Sequence, residues 1–363
     1  MRILRERAAI RASDRARSLI DQGRLTEAVD AYESALVWFR QRPLIESRAM
    51  LARCLLGKGM AQLTSRRPEG ALQSFEELIA RLHDQSDPQS RPLVALAMRD
   101  RIAALTDLGE LAAAMQACTE MVSLFADADD PSLRYSVAVT ELHIASLQAR
   151  SGRFDIAMAS YDRLVEEFGR EGQQDIHDLV ATVRYDHAVA LEKMGLGPQA
   201  IEAYEGIIQD FARAPVAQET VAKAMVNEGV QWLETGDADR ASSKYECAID
   251  AFKGSSSPEI RAQMAKALFN LGNARERAGR PEDAIASYDR AFDAYSGDTL
   301  AAQDVTSALT NKAVLLLRLG RRPAALAVCA QIRKRLAEAA DSHSLLCLRT
   351  VESIEQAPAD YPA

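Results

Sequence analysis

Long apolar runs are missing from this sequence of 363 residues, although hydrophobic residues make up 48% of it. A membrane-spanning helix requires about 20 consecutive apolar residues, and no stretch approaches that length, so we expect no membrane partner. Glycine and proline are also scarce, with 18 and 12 residues, and they gather between segments of helical periodicity. The apolar residues are therefore available for a continuous helical core.

A surplus of basic charge is absent as well. The chain has 44 basic and 52 acidic residues and a formal net charge of −8, whereas phosphate binding requires a strong basic stripe. We therefore expect no nucleic-acid partner. The start, MRILRERAAIRASDRAR, has too many arginines and too short an apolar run for a signal peptide. We interpret it as a first helix with a polar outer face; a basic arm for nucleic acid or anionic membranes is the less favoured alternative.

Motifs for catalysis or metal binding are absent from the sequence. The five histidines and five cysteines show neither HExxH nor Cys-x-x-Cys spacing. Residues 195–200, GLGPQA, imitate a dinucleotide-binding fingerprint but follow a helix rather than a strand. We expect no cofactor and no enzymatic activity. The odd number of cysteines predicts reduced, buried thiols in a cytoplasmic protein.

One segment is repeated along the chain. Its clearest copy is residues 279–295, GRPEDAIASYDRAFDAY, in which a glycine turn and a proline precede an amphipathic helix. The turn residue has equivalents at steps of 41 or 43 residues. The eight turn residues are Gly23, Arg66, Gly109, Gly152, Gly195, Gly236, Gly279 and Gly320.

Small residues keep a constant distance from each turn. An alanine follows the turn by five residues in every copy, at Ala28, Ala71, Ala114, Ala157, Ala200, Ala241, Ala284 and Ala325. A small residue also precedes it by seven, at Ala16, Gly59, Ala145, Ala188, Gly229, Gly272 and Ala313, with Ile102 as the exception. An aromatic residue or cysteine follows the turn by nine. Facing small residues predict tightly crossed helical hairpins, with the aromatic side chain between one hairpin and the next.

This order of small residue, turn, alanine and aromatic residue resembles the tetratricopeptide repeat, and ASYDRAF is close to that family's second helix. The repeat here is about seven to nine residues longer than the usual 34 and is similar to long-period arrays of bacterial proteins and kinesin light chains. The resemblance implies an all-α fold, an α-solenoid of eight helical hairpins in a right-handed superhelix. It also implies that first helices line the inside, where ligands bind.

The predicted array occupies residues 1–341. Residues 342–356 form one more amphipathic segment, which predicts a capping helix on the last apolar face, and the tail up to residue 363 is expected to fray. Capped helix starts are predicted at Asp130-Pro131 and Ser257-Pro258.

The predicted inner face carries polar residues nine positions before seven of the eight turns, with Gly57 as the exception. In the last three copies these are Asn227, Asn270 and Asn311, and Asn273 adds a fourth amide. They resemble the asparagine ladder with which such grooves hydrogen-bond a peptide backbone, since an amide offers both a donor and an acceptor.

Further candidate binding residues lie beside the ladder. Lys223 and Lys266 precede two of the asparagines by one helical turn, and Tyr185 and Phe269 are candidate apolar contacts. Together these residues favour an extended ligand that bears carboxylates. However, Phe269 and Ser307 stand where the family's two-carboxylate clamp would have basic residues.

A purely structural role for the ladder stays open. In that alternative the amides bond to neighbouring repeats, and Val226, Phe269 and Thr310 belong to the core.

Three functions fit the sequence. We favour an adaptor or scaffold that binds a protein partner, either a peptide or a helix. The alternatives are a regulatory or sensor module that acts with a separately encoded effector, and a self-assembling homo-oligomer joined through its end helices or exposed aromatics such as Trp38.

Overall fold

Helices are the only regular elements in the described part of the chain. The computed structural model describes residues 2–41, 44–82, 91–126, 128, 130–169, 174–337 and 341–357. Several predicted features lie outside these residues: His83, most of the links at 42–43, 84–90 and 170–173, and the tail at 358–363.

The chain divides into two compact units, Met1–Leu164 and Val165–Ala363. The helices of the first unit are α1 (Arg2–Asp21), α2 (Leu25–Phe39), α3 (Leu44–Thr64), α4 (Pro68–Leu82), α5 (Arg91–Asp107), α6 (Leu111–Phe125), α7 (Pro131–Arg150) and the start of α8 (Phe154–Phe168). Those of the second unit are α9 (Gln174–Lys193), α10 (Gly197–Phe211), α11 (Gln218–Glu234), α12 (Ala238–Ala251), α13 (Pro258–Arg277), α14 (Pro281–Tyr295), α15 (Ala302–Arg318), α16 (Arg322–Arg335) and α17 (Ser342–Gln356).

Among the described residues the helices follow one another as eight hairpins, from α1–α2 to α15–α16, and α17 covers the last one. This confirms the predicted all-α solenoid; its superhelical handedness stays a prediction. Both predicted caps form, because Asp130 accepts hydrogen bonds from the amides of Ser132 and Leu133, and Ser257 accepts one from that of Ile260. On α17, Cys347, Val351 and Ile354 are buried, as expected for a capping helix.

The turn between the two helices of each hairpin has the same backbone geometry in all eight copies. Every predicted turn residue has a positive φ, between 56° at Arg66 and 91° at Gly236. The amide after the turn residue donates to the carbonyl five residues earlier, for example Arg280 N to Arg275 O at 2.8 Å. This is the Schellman arrangement that ends a helix with a left-handed residue. Glycine is favoured there because it adopts positive φ without a side-chain clash.

Small residues bring the helices of a hairpin close together. All eight matched alanines have no exposed surface. In three hairpins a glycine of the first helix lies against the aromatic ring of the second, at Gly59 with Phe75, Gly229 with Tyr245 and Gly272 with Tyr288. The rings are therefore buried within the stack.

Two expectations about surface residues were wrong in part. Trp38 is only partly exposed, because its ring packs against the apolar core of the first unit, which weakens the case for self-assembly through it. Cys247 is exposed, whereas the other four cysteines are buried and all five are free thiols. Its position, two residues after Tyr245 on α12, lies off the buried stripe.

Candidate functional site

The first helices of the second unit form a continuous layer. We call α9, α11, α13, α15 and α17 the first-helix wall, because each contacts the next. No close packing is seen between consecutive second helices, α10, α12, α14 and α16, in the described residues of this unit. A layer whose helices lie closer together is the inner side of a curved stack. All eight predicted binding residues lie on helices of this wall.

Asn227 on α11 is tied to the preceding hairpin. Its side-chain N–H groups donate to the hydroxyl oxygens of Tyr185 at 3.0 Å and Tyr204 at 3.3 Å. The Tyr204 hydroxyl in turn donates to Glu192 at 3.1 Å. Burial raises the pKa of Tyr185 to about 12, and the hydrogen bond from Asn227 opposes that rise. Both donors of Asn227 therefore serve the packing of neighbouring hairpins.

Asn273 and Asn311 form a second internal link. The Asn273 side-chain oxygen accepts from the Tyr288 hydroxyl and from Asn311 Nδ2, both at 2.8 Å. This amide pair joins α13 to α15. For three of the four predicted amides, the structural alternative therefore accounts for the hydrogen bonds that they make.

Asn270 differs from the other three amides. It is half-buried on α13, and its side chain makes no hydrogen bond to other described residues. Asn227 bonds to Tyr185 in the hairpin before it, but the equivalent residue in the hairpin before Asn270 is Val226, which has no hydroxyl. The equivalent of Tyr204 is Tyr245, whose hydroxyl is buried without a hydrogen-bond partner among the described residues. Asn270 thus retains a free amide donor and acceptor.

The two lysines also differ. Lys223 Nζ lies 2.5 Å from the Glu219 carboxylate, one turn earlier on α11, so its charge is already paired. Lys266 is half-buried and makes no ion pair with the described residues. It precedes Asn270 by one helical turn, and Phe269 beside them is half-buried rather than part of the core. The structure therefore leaves Lys266, Phe269 and Asn270 as the available part of the predicted site.

Asp304 on α15 is a wall residue that the sequence reasoning missed. The hydrogen bond between Asn273 and Asn311 fixes which residues of α13 and α15 lie opposite each other. Seven residues earlier on each helix, about two turns, Lys266 lies opposite Asp304. Burial raises the pKa of Asp304, while the positive charges of Lys266 and His343 act to lower it. Its carboxylate makes no hydrogen bond or ion pair within the described chain. Asp304 stands sixteen residues before its turn and Lys266 thirteen before its own, so the repeat spacing alone does not place them together.

His343 continues the wall onto the capping helix. Its Nε2 lies 3.3 Å from Ser307 Oγ on α15 and 3.6 Å from Cys347 Sγ on α17. Ser307 therefore contacts the capping helix, and Cys347 is only 4% exposed. Among the described residues no three side chains are grouped so as to hold a metal ion.

Together these observations define an α-solenoid of stacked helical hairpins, with a polar first-helix wall in its second unit. The tetratricopeptide repeat model matches residues 56–131 and 232–299. These two matches and the eight hairpins support tetratricopeptide repeats in this chain. No curated protein matches the sequence significantly. Within the described residues, none of the helices is both long and apolar enough to span a bilayer.

Solved structures share the fold at low sequence identity. A tetratricopeptide repeat protein from Parabacteroides merdae ATCC 43184 has 12% identity and a TM-score of 0.54, over 84% of this chain and 99% of that chain. The apo form of RapI has 11% identity and a TM-score of 0.60, over 96% and 97%. The apo form of the quorum sensor NprR from B. thuringiensis has 13% identity and a TM-score of 0.52, over 95% and 97%. At these identities the likeness concerns the fold alone.

Proposed function

We propose that the protein is a non-enzymatic adaptor whose first-helix wall binds an extended peptide or a partner helix. Lys266 would take a carboxylate of the ligand, and Asn270 would bond to its backbone. The observation that carries this proposal is that, among the described residues, the amide of Asn270 is unbonded and Lys266, one turn before it, makes no ion pair. The other three amides would hold the helices of the wall together instead of binding the ligand, since they already bond within the wall: Asn227, Asn273 and Asn311.

The chemistry of these residues suits a protein ligand. An amide side chain can accept from a backbone N–H and donate to a backbone carbonyl at the same time. The half-buried ring of Phe269 adds an apolar surface beside the polar pair. A net hydrogen bond contributes about 0.5–1.5 kcal/mol, and a bond to a charged group about 1.5–3 kcal/mol. Lys266 is therefore expected to contribute more to affinity than Asn270.

Capture of a partner from the source organism, followed by titration with the purified partner, tests the proposal. Asn270→Ala is expected to weaken binding by about twofold to tenfold, and Lys266→Met by about tenfold or more. The matched control is Gln209→Ala, which removes an exposed amide from second helix α10 and should leave the affinity unchanged. A partner whose affinity is the same for wild type, Asn270→Ala and Lys266→Met would rule out this part of the wall.

A regulatory or sensor module is the second candidate. It is supported by the likeness in fold to RapI and to NprR, a protein described as a quorum sensor. In an adaptor the captured partner itself occupies the wall, whereas in a sensor a small ligand occupies it and changes the affinity for an effector bound elsewhere. A captured protein that is unaffected by Lys266→Met, but is released when a short peptide binds the wall, would favour the sensor.

A further inference from the structure

Lys266 and Asp304 are opposite charges that face each other without forming a direct ion pair. They lie on neighbouring parallel helices, two turns from the Asn273–Asn311 hydrogen bond, and the positive charge of Lys266 acts on Asp304. Both are half-buried in the described part of the chain, and neither side chain makes a hydrogen bond there. Half-buried charges are costly unless they are paired, so two that remain apart leave charge that a ligand could neutralise.

A role in helix capping does not account for Asp304. The residue lies in the first turn of α15, where a carboxylate can accept from free backbone amides. However, Asp304 accepts no such bond from the described residues, and the charges that act on it are those of Lys266 and His343 on the two adjacent helices of the wall. His343 is held by Ser307 and Cys347, which leaves Lys266 and Asn270 on the other side of Asp304.

We propose that Lys266, Asn270 and Asp304 form a subsite for a peptide segment that carries an acidic and a basic side chain close together. This inference rests on the proposed function and specifies its ligand. Lys266 takes the ligand carboxylate, Asp304 takes the ammonium or guanidinium group, and Asn270 bonds to the backbone between them. Packed parallel helices lie about 8–10 Å apart, and an extended chain rises about 3.3 Å per residue. The two charged side chains of the ligand are therefore about two or three residues apart.

The subsite predicts a preference that an all-basic wall would not have. A ligand with two carboxylates places one of them against Asp304, and a ligand with two basic groups places one against Lys266. The mixed-charge segment alone satisfies both groups. Asp304 is thus a specificity-determining residue, because its removal turns the site into one that favours acidic ligands.

Binding of short blocked peptides to the whole chain, measured by fluorescence anisotropy, tests this inference. One peptide pair has glutamate and lysine two residues apart, in both orders; others have two glutamates, two lysines or two glutamines there. Wild type is expected to bind one mixed-charge peptide about tenfold more tightly than the glutamine peptide. Asp304→Asn should lose that preference and bind the two-glutamate peptide best. The charge exchange Lys266→Glu with Asp304→Lys should restore the preference that each single change removes.

The matched control is Asp293→Asn, which removes an exposed carboxylate from second helix α14 and should leave the order of affinities unchanged. Circular dichroism of each variant checks that it is folded. If wild type binds the two-glutamate peptide best and Asp304→Asn keeps that order, the charged subsite is wrong while peptide binding by the wall stands. If a captured partner depends on Asn270 but not on Asp304, the same conclusion follows. A partner or peptide indifferent to all three residues overturns both proposals.

Discussion

Gly272→Ala is expected to destabilise the second unit, although alanine is the better helix former. Gly272 lies within α13, where an added Cβ would stand 2.2 Å from Cε1 of Tyr288 and 2.6 Å from two further ring atoms. The ring has no exposed surface, and its hydroxyl is bonded to Asn273. It cannot move aside without breaking that bond or separating α13 from α14.

The expected magnitude follows from two opposing terms. Replacing a helical glycine by alanine favours the folded state by about 0.5–1 kcal/mol, whereas overpacking a core costs about 1–3 kcal/mol. Because the contact is far shorter than a van der Waals distance, we expect the second term to win, with a net loss of about 1–2 kcal/mol. Gly206 in α10 provides the matched control, since a Cβ there meets nothing within 4 Å. Gly206→Ala should therefore stabilise the protein by about 0.5–1 kcal/mol.

Urea unfolding of both variants, followed by circular dichroism, gives the comparison. Repeat arrays do not always unfold in one step, so hydrogen exchange of α13 and α14 should be measured as well, with faster exchange expected in Gly272→Ala. The helix-propensity term is common to both substitutions, and their difference therefore isolates the packing. Equal stabilisation by the two alanines would refute the close approach of Gly272 to Tyr288.

Three further predictions concern single residues. Arg66→Gly should raise stability by up to about 1 kcal/mol in urea unfolding, because Arg66 has φ 56° where the other turns have glycine; an unchanged or lower midpoint would contradict the turn geometry. Tyr288→Phe should lower the free energy of unfolding by about 0.5–1.5 kcal/mol, because it removes a hydrogen bond to Asn273. Tyr245→Phe should be neutral or stabilising, because that hydroxyl is buried without a partner among the described residues. Equal losses of stability in the two variants would show that the Tyr245 hydroxyl is bonded. Burial lowers the pKa of His143 in the folded protein from its usual 6.5. Its contribution to stability is therefore present above about pH 6.5 and is lost as the pH falls through the lowered pKa. Unfolding midpoints should fall more between about pH 7 and pH 5 in wild type than in His143→Gln, and parallel profiles would contradict this.

The hairpins could be predicted from sequence because each rests on a local requirement. A turn with positive φ favours glycine, and a close helix crossing allows only a small side chain. Both requirements therefore select particular residue types at a constant spacing in the sequence. The same requirement recurs eight times, and even the exception at Arg66 adopts the left-handed conformation of the glycines. The depth of burial follows as well, since the matched alanines pack where two helices meet.

The repeat pattern could not predict which side chains of the candidate site are already hydrogen-bonded within the protein. Periodicity placed Asn227, Asn270 and Asn311 in one row, but it does not show which amides are already bonded. That depends on residues in other hairpins, about 40 positions away in sequence, such as Tyr185 for Asn227. Asp304 was missed for a similar reason, because its relation to Lys266 appears only when the stagger between α13 and α15 is known.

Polar side chains of the wall are therefore available to a ligand where one copy of the repeat differs from the other copies. Asn227 has Tyr185 in the preceding hairpin to accept from its amide, whereas at the equivalent position Asn270 has Val226. Lys223 has Glu219 one turn before it, but Lys266 has Ala262 there, which carries no charge. As far as the structure describes the chain, both departures leave a polar group without a partner on α13, and the two groups lie on adjacent turns of that helix. A stack made of identical hairpins would satisfy every polar group in the same way, so binding chemistry concentrates at the copy whose neighbours fail to complete the pattern.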